Sequence, residues 1–256
     1  MKKLIFKAVL GIKSVLRFAF SLMSGGTWCL VCGRHTHFSI VCKECVKKHF
    51  DVMTVINVPR CKICGKPLIC ENDICSICRV EPVIKAMDLM LPLFPYRLWN
   101  KELMFLWKTQ EVRVLSVFFA GLLSQALKKL KADIIVPVPP RKGKIKEKGW
   151  DQIDELCSLL EYKYGYRVLK LLERHTKVQQ KKLDREGRLQ QIGKAYFCVP
   201  EQVLKQRLKP YGGVFPDAVV LLDDVCTTGS TLESCAQILK EVGIKKITGI
   251  TLFSVD

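Results

Sequence analysis

The sequence predicts an α/β protein built on a mostly parallel sheet, with a small cysteine-rich module in its N-terminal third. Two observations predict the sheet. Five consecutive apolar residues, 218–222, are typical of a strand that is buried on both faces, and strand patterns alternate with helical patterns toward the C-terminus. The third observation is the distribution of the 13 cysteines, nine of which lie between Cys29 and Cys78.

The predicted elements follow the hydrophobic pattern along the chain. Residues 84–130 are apolar at helical spacing, and their prolines break the first part. A short strand ends in a proline turn at residues 133–140, and a helix is expected around Ile153–Tyr164. The C-terminal pattern is the clearest: we expect a strand over 218–222, a loop over 223–230, a helix over 231–242 and a strand over 247–253.

Composition and charge narrow the class of protein. Of the 256 residues, 49% are hydrophobic and 26% charged, which excludes global disorder. The net charge of +18 favours partners that are polyanionic, such as nucleic acid, anionic lipid or a phosphorylated ligand; the alternative is a surface made soluble by lysine. No segment reaches 18 uncharged apolar residues, so the sequence predicts no membrane-spanning helix.

Residues 1–26 carry apolar side chains at helical spacing, and basic residues interrupt the apolar run. No small-residue cleavage site follows, so a basic amphipathic helix is favoured over a signal peptide. Such a helix lies on an anionic membrane surface or packs on the rest of the protein, and the sequence leaves both alternatives open.

Residues 27–80 contain four Cys-x-x-Cys turns, each of which directs two thiolates at one ion. Two turns supply the four sulfur ligands that structural zinc prefers, and zinc is favoured over an iron–sulfur cluster. Because the loops between neighbouring turns are short, we pair neighbours, with a crossed pairing as the alternative. Cys70 is left without a partner. A closed shell leaves no coordination position for a substrate, so the zinc is expected to be structural. The predicted ligands are Cys29, Cys32, Cys42 and Cys45 for one ion, and Cys61, Cys64, Cys75 and Cys78 for the other.

The most informative stretch follows the apolar run 218–222. Asp223 and Asp224 stand where open α/β sheets bind ligands, and both are expected to be ionised. The hydroxyl residues, Gly229 and the start of the next helix form a nest that suits a phosphate monoester. Because the carboxylates would repel a phosphate, they are expected to face a vicinal diol, or a diol with magnesium. This combination points to a ribose 5-phosphate compound; the alternative is an Asp-capped turn that only begins a helix.

This stretch resembles the phosphoribosyl-pyrophosphate (PRPP) binding motif of type I phosphoribosyltransferases, and its neighbours resemble the ComF family of competence proteins. In that family a cysteine module precedes the transferase domain, and a Val-Pro-Val-Pro strand end leads to an Arg-Gly-Phe-Asn-Gln element. The equivalents here are 136–139 and 148–152, and the residues Arg174, Thr176, Gln179 or Gln180, Arg188 and Ala195-Tyr196 are similar to a later series. Asp151 departs from the pattern, because a carboxylate replaces a neutral amide near the expected diphosphate.

The resemblance implies a type I phosphoribosyltransferase-like parallel sheet, over residues 84–256, behind a double zinc-knuckle domain. The residues implied to bind PRPP, together with Mg²⁺, are Asp223, Asp224, Thr227, Thr228, Gly229, Ser230 and Thr231. A basic stretch is expected to ring the diphosphate or, equally, to track a DNA backbone: Arg141, Lys142, Lys144, Lys146 and Lys148. Trp150 is a candidate stacking platform, with a packed side chain as the alternative. A second basic group (Lys177, Lys181, Lys182, Arg185, Arg188) belongs to the expected mobile hood.

The resemblance also implies a role in natural transformation. The favoured hypothesis is a cytoplasmic DNA-uptake factor, peripheral to the inner membrane, that binds PRPP and single-stranded DNA. Its expected partners are a DNA-translocating helicase and DNA-processing proteins. The alternatives are a magnesium-dependent phosphoribosyltransferase with an unknown acceptor, for which no general base can be named, and a PRPP-sensing regulatory or adaptor protein. With the cysteine module and the loop in separate domains, Cys64→Ser is expected to leave PRPP binding intact.

Overall fold

The computed structural model describes residues 27–37, 39–69, 73–140, 143–174 and 195–255. The predicted helix of residues 1–26, Cys70 and the second basic group lie outside the described residues. Within those residues, no helix has the length and apolar character needed to cross a membrane.

Strands and helices alternate along most of the described chain. The strands are β1 (Thr27–Trp28), β2 (His35–Thr36), β3 (Leu89–Pro95), β4 (Ile134–Pro137), β5 (Arg167–Val168), β6 (Leu172–Arg174), β7 (Tyr196–Cys198), β8 (Ala218–Cys226) and β9 (Lys246–Ser254). The helices are α1 (Lys43–His49), α2 (Val52–Asn57), α3 (Ser76–Val80), α4 (Trp99–Lys108), α5 (Val114–Lys129), α6 (Lys144–Lys148), α7 (Gln152–Tyr162), α8 (Glu201–Leu208), which a 3₁₀ turn (Lys209–Tyr211) extends, and α9 (Ser230–Glu241).

The central sheet has five strands in the order β3-β9-β8-β4-β5, and every neighbouring pair is parallel. In the middle of the sheet Leu222 of β8 lies opposite Pro137 of β4 on one side and Ile250 of β9 on the other. The carboxyl ends of β4, β8 and β9 therefore meet at one edge. The predicted α/β architecture is confirmed: a parallel sheet follows a cysteine-rich segment that holds two four-cysteine groups.

Two predicted element boundaries were wrong. The first part of 84–130 is not helical, because Leu89–Pro95 forms β3, a strand buried at each of its five central positions. Its prolines are tolerated because β3 is the edge strand, with a ladder on one side only. Strand β8 runs four residues beyond its expected end, so both aspartates belong to the strand.

Three other predicted elements agree with the structure to within two residues at each end. Helix α7 covers the predicted helix around Ile153–Tyr164, and α9 and β9 cover the last two predicted elements. This agreement reflects the clear periodicity of these segments.

Each face of the sheet carries its own hydrophobic core, and each core receives one cysteine cluster. On one face α5 and α7 pack against β8 and β9, and Cys29, Cys45 and Phe50 join them. Phe50 is 1% exposed, and its ring lies 5.3 Å from that of Phe94. On the other face α9 packs against β4 and β8, and Cys64 lies against this core. The cysteine-rich segment therefore contacts both faces of the sheet.

Candidate functional site

The eight paired cysteines form two groups, and the four sulfur atoms of each group lie within 4.8 Å of one another. Sγ of Cys32 lies 3.8 Å from Sγ of Cys42, and Sγ of Cys64 lies 3.7 Å from Sγ of Cys75. A tetrahedral zinc ion with Zn–S bonds of about 2.3 Å requires neighbouring sulfurs about 3.8 Å apart. Both groups therefore fit a zinc ion, and their members are those that sequential pairing predicts: Cys29, Cys32, Cys42 and Cys45, and Cys61, Cys64, Cys75 and Cys78.

The backbone conformation of the Cys-x-x-Cys turns explains how two cysteines at this spacing point at one ion. Gly33 and Gly65, each directly after a second cysteine, have φ values of +68° and +70°, a region that side chains disfavour. The backbone N–H of Cys42 donates to Sγ of Cys29 at 3.3 Å, as that of Cys75 does to Sγ of Cys61 at 3.4 Å. These bonds orient the sulfurs inward, as expected of a structural site.

The loop between β8 and α9 brings the predicted PRPP residues together at the carboxyl edge of the sheet. Gly229 has a φ of +87°, which turns the chain into the first residue of α9, Ser230. Oγ1 of Thr228 accepts a hydrogen bond from the backbone N–H of Ser230 at 3.3 Å. Thr227, Thr228 and Ser230 are exposed, so their hydroxyls and the helix N-terminus face solvent, as a phosphate ligand requires.

The two aspartates differ in their surroundings. Asp224 is half-buried, and its Oδ2 lies 2.7 Å from Nζ of Lys108. Oδ1 of Asp223 accepts the backbone N–H of Asp224 at 2.8 Å. Burial, helped by repulsion from the Asp224 carboxylate, raises the pKa of Asp223 to about 8. Burial therefore favours the protonated form of Asp223 without ligand, which argues against the expectation that both aspartates are ionised.

Lys108 is a site residue that the sequence did not indicate. It lies in the last turn of α4, 116 residues before Asp224, and no motif marks it. Tyr196 of β7 also lies close to the loop, because β7 packs against α9, and the Arg174 guanidinium lies 5.4 Å from the centre of the Tyr196 ring. The resemblance named Tyr196 and Arg174 without indicating this contact with the phosphate helix.

The basic stretch after β4 is described only in part. Arg141, Lys142 and the side chains of Lys146 and Lys148 lie outside the described residues. Nζ of Lys144 lies 2.6 Å from Oδ2 of Asp151, so this lysine is paired within the protein.

Asp151 is 4% exposed and caps α7, since its Oδ1 accepts the backbone N–H of Asp154 at 3.0 Å. The carboxylate that departs from the family pattern is thus neutralised by Lys144. The neighbouring Trp150 is 6% exposed and has the Arg113 guanidinium over its ring, so it is a packed residue and no stacking platform.

Comparison with known proteins identifies a sequence relative and a structural likeness. No family model matches the chain. The chain is 24% identical over 215 residues to the competence protein ComFC of Streptococcus pneumoniae (strain ATCC BAA-255 / R6), covering 84% of this chain and 87% of that protein. A purine phosphoribosyltransferase from Pyrococcus horikoshii Ot3 is 15% identical over 53% of this chain and 80% of its own, with a TM-score of 0.31.

Proposed function

We propose that this ComF-family protein is a DNA-uptake factor of natural transformation, which binds PRPP and single-stranded DNA at the inner face of the membrane. The similarity to ComFC, whose name gives its role in competence, supports the transformation role. A DNA-translocating helicase and DNA-processing proteins are the partners such a role requires. Contact with anionic lipid would be made by the basic residues of 1–26.

The observation that carries PRPP binding is the joint placement of a phosphate nest and two aspartates at one edge of the sheet. The nest has three exposed hydroxyls and the N-terminus of a twelve-residue helix, which attract a phosphate monoester. Asp223 and Asp224 directly precede it in β8, where a ribose diol that carries this phosphate is within reach. A ribose 5-phosphate group can contact both the phosphate nest and the two aspartates, whereas a simple anion contacts only the nest.

Magnesium is expected to enter the site with PRPP. Carboxylate oxygens suit this ion, but without ligand Asp224 is paired with Lys108, and burial raises the pKa of Asp223 and so disfavours its ionised form. The aspartates alone are therefore poor magnesium ligands, and the diphosphate of the ligand supplies further oxygen donors.

The pairing of Lys144 favours binding over turnover. A transferase that releases diphosphate needs cations around the departing group. Lys144 instead donates to Asp151 at 2.6 Å and to Oε1 of Gln152 at 2.5 Å. Using it for diphosphate would require these bonds to break, which weighs against the magnesium-dependent transferase.

Calorimetry with magnesium and PRPP tests the proposal. Asp224→Asn keeps the shape and removes the charge of a hydrogen bond to the diol, which contributes about 1.5–3 kcal/mol, so affinity is expected to fall about tenfold to a hundredfold. Asp217→Asn is the matched control, since its side chain is 80% exposed and pairs only with Lys245 among the described residues. Absence of wild-type binding at millimolar PRPP would make the loop a relic of the fold.

A titration with labelled single-stranded DNA, repeated with PRPP present, tests the second half of the proposal. The net charge of +18 and the basic stretch beside the loop support DNA binding, which should weaken steeply with salt. Neutralising Lys146 and Lys148 together should lower affinity and flatten the salt dependence, whereas Lys144 is left unchanged because it pairs with the buried Asp151. Unchanged affinity would place the DNA surface elsewhere on the protein.

A further inference from the structure

The segment 81–88, which we call the strap, joins the second cysteine cluster to β3 and passes beneath the phosphate loop. It begins three residues after Cys78, the last ligand of that cluster. Only five residues separate Cys78 from Ile84, whose side chain lies against the loop. The strap is therefore a short covalent link between the second metal site and the phosphate site.

Ile84 forms the underside of the loop. Its side chain is 6% exposed, and a Cβ placed on Gly229 would lie 2.9 Å from Cδ1 and 3.0 Å from Cγ1 of Ile84. Carbon atoms in ordinary contact are about 3.5–4.0 Å apart, so Gly229 is packed onto Ile84 without spare room. A displacement of Ile84 changes the support of the loop at its turning point.

Glu233 links the strap by hydrogen bonds to α9, the helix whose N-terminus the phosphate would contact. This residue is 7% exposed in the first turn of α9. Its carboxylate accepts the backbone N–H of Lys85 at 2.8 Å and that of Ala86 at 3.0 Å. A buried carboxylate with two backbone donors holds the strap and α9 in one arrangement.

The second cluster also faces the loop directly. A pocket of about 370 Å³ lies between them, with Cys64, Cys75 and Cys78 on one side and Cys226, Thr227 and Thr228 on the other. The first cluster packs in the core on the opposite face of the sheet. The protein thus contains one cluster beside the phosphate loop and one that serves as an internal control.

We propose that the second four-cysteine site, when it holds zinc, positions the phosphate loop through the strap, with Ile84 and Glu233 as positioning residues. A segment as short as 61–78 depends on its metal for a fixed fold, so loss of zinc releases the anchored end of the strap. The loop must then be ordered when the ligand binds, which weakens binding. Coupling between two sites is reciprocal, so a bound phosphate ester also retains the zinc. The inference rests on the proposed function in taking this loop as the phosphate-ester site.

Zinc transfer from the full-length protein to a chromophoric chelator, with and without saturating ribose 5-phosphate, tests the coupling. At equilibrium the ligand should raise the affinity for one of the two zinc ions by about 5- to 150-fold, the usual range for coupled sites, and leave the other unchanged. Ile84→Ala and Glu233→Gln should keep both ions and reduce this gain in affinity toward none. Glu241→Gln, which removes a carboxylate at the far end of α9, is the matched control and should behave as wild type.

A cysteine pair gives a second measurement. Cys64→Ser should weaken ribose 5-phosphate binding by the coupling factor, contrary to the independence expected from the sequence, whereas Cys32→Ser of the first cluster should not. If wild type binds ribose 5-phosphate but neither zinc release nor Cys64→Ser changes anything, the coupling is refuted and the proposed function stands. If wild type binds neither ribose 5-phosphate nor PRPP, the proposed function fails, and the coupling fails with it.

Discussion

Asp223→Asn is expected to stabilise the ligand-free protein, and increasingly so as the pH rises. The unfolded carboxyl titrates near 3.8, whereas burial raises the pKa of Asp223 to about 8 in the folded protein. Between these values the folded state keeps a proton that the unfolded state has lost, so the free energy of unfolding falls as the pH rises through this window. Asparagine has no proton to lose, so the free energy of unfolding of the variant lacks this dependence on pH.

The magnitude follows from the size of the shift. Each pKa unit corresponds to about 1.4 kcal/mol, so the shift sets an upper bound of about 6 kcal/mol. Relaxation around the ionised carboxylate and entry of water reduce this, and we expect a gain on the order of 2 kcal/mol at pH 8.5 that shrinks below pH 5. The assay is urea unfolding of both proteins across this range without magnesium, with the exposed Asp217→Asn as control. An Asp223→Asn variant less stable than wild type at pH 8.5, or a difference that is independent of pH, would refute the reasoning.

Two further predictions concern the metal sites and the loop. Protein purified without chelator should contain two zinc ions per chain by elemental analysis, because both sulfur groups fit the ion; one or none would mean that a cluster is not a zinc site. Gly229→Ala should lower ribose 5-phosphate affinity in calorimetry more than Gly212→Ala does. Both glycines have positive φ, but only at Gly229 would the new Cβ meet a neighbour, Ile84 at 2.9 Å, whereas nothing lies within 4 Å at Gly212. Equal losses of affinity in the two variants would show that the Ile84 side chain moves aside at no cost, and would contradict the prediction.

Local chemistry made much of the fold and site predictable. The Cys-x-x-Cys spacing defines four turns, and the short segments between neighbours favour the pairing of neighbouring turns that the structure shows. The run 218–222 identifies a central strand because a chain segment apolar at every position must be covered on both faces. The phosphate nest in the following loop was predictable because its backbone N–H groups and hydroxyls come from consecutive residues of the chain.

The features that the sequence did not predict depend on tertiary placement. Leu89–Pro95 has the composition of a broken helix, and only its position at the sheet edge makes its prolines compatible with a strand. Lys108 reaches Asp224 from a distant helix, and no local pattern marks such a contact. The raised pKa of Asp223 follows from burial, which appears only when the sheet is assembled.

Without ligand, the charged side chains described at this site are paired or neutralised within the protein. This determines which ligands the site should favour. Lys108 pairs with Asp224, a proton neutralises Asp223 and Lys144 pairs with Asp151. Inorganic phosphate contacts the loop alone, so it leaves these arrangements in place and gains only the helix N-terminus and hydroxyls. A ribose 5-phosphate compound also presents its hydroxyls to the aspartates, and hydrogen bonds to the ionised form of Asp223 favour loss of its proton. Binding of the sugar phosphate should therefore release a proton near neutral pH and strengthen toward pH 8, whereas binding of phosphate should not. Release of the Asp223 proton on binding thus distinguishes a ligand that contacts the aspartates and the loop from a ligand that contacts only the loop.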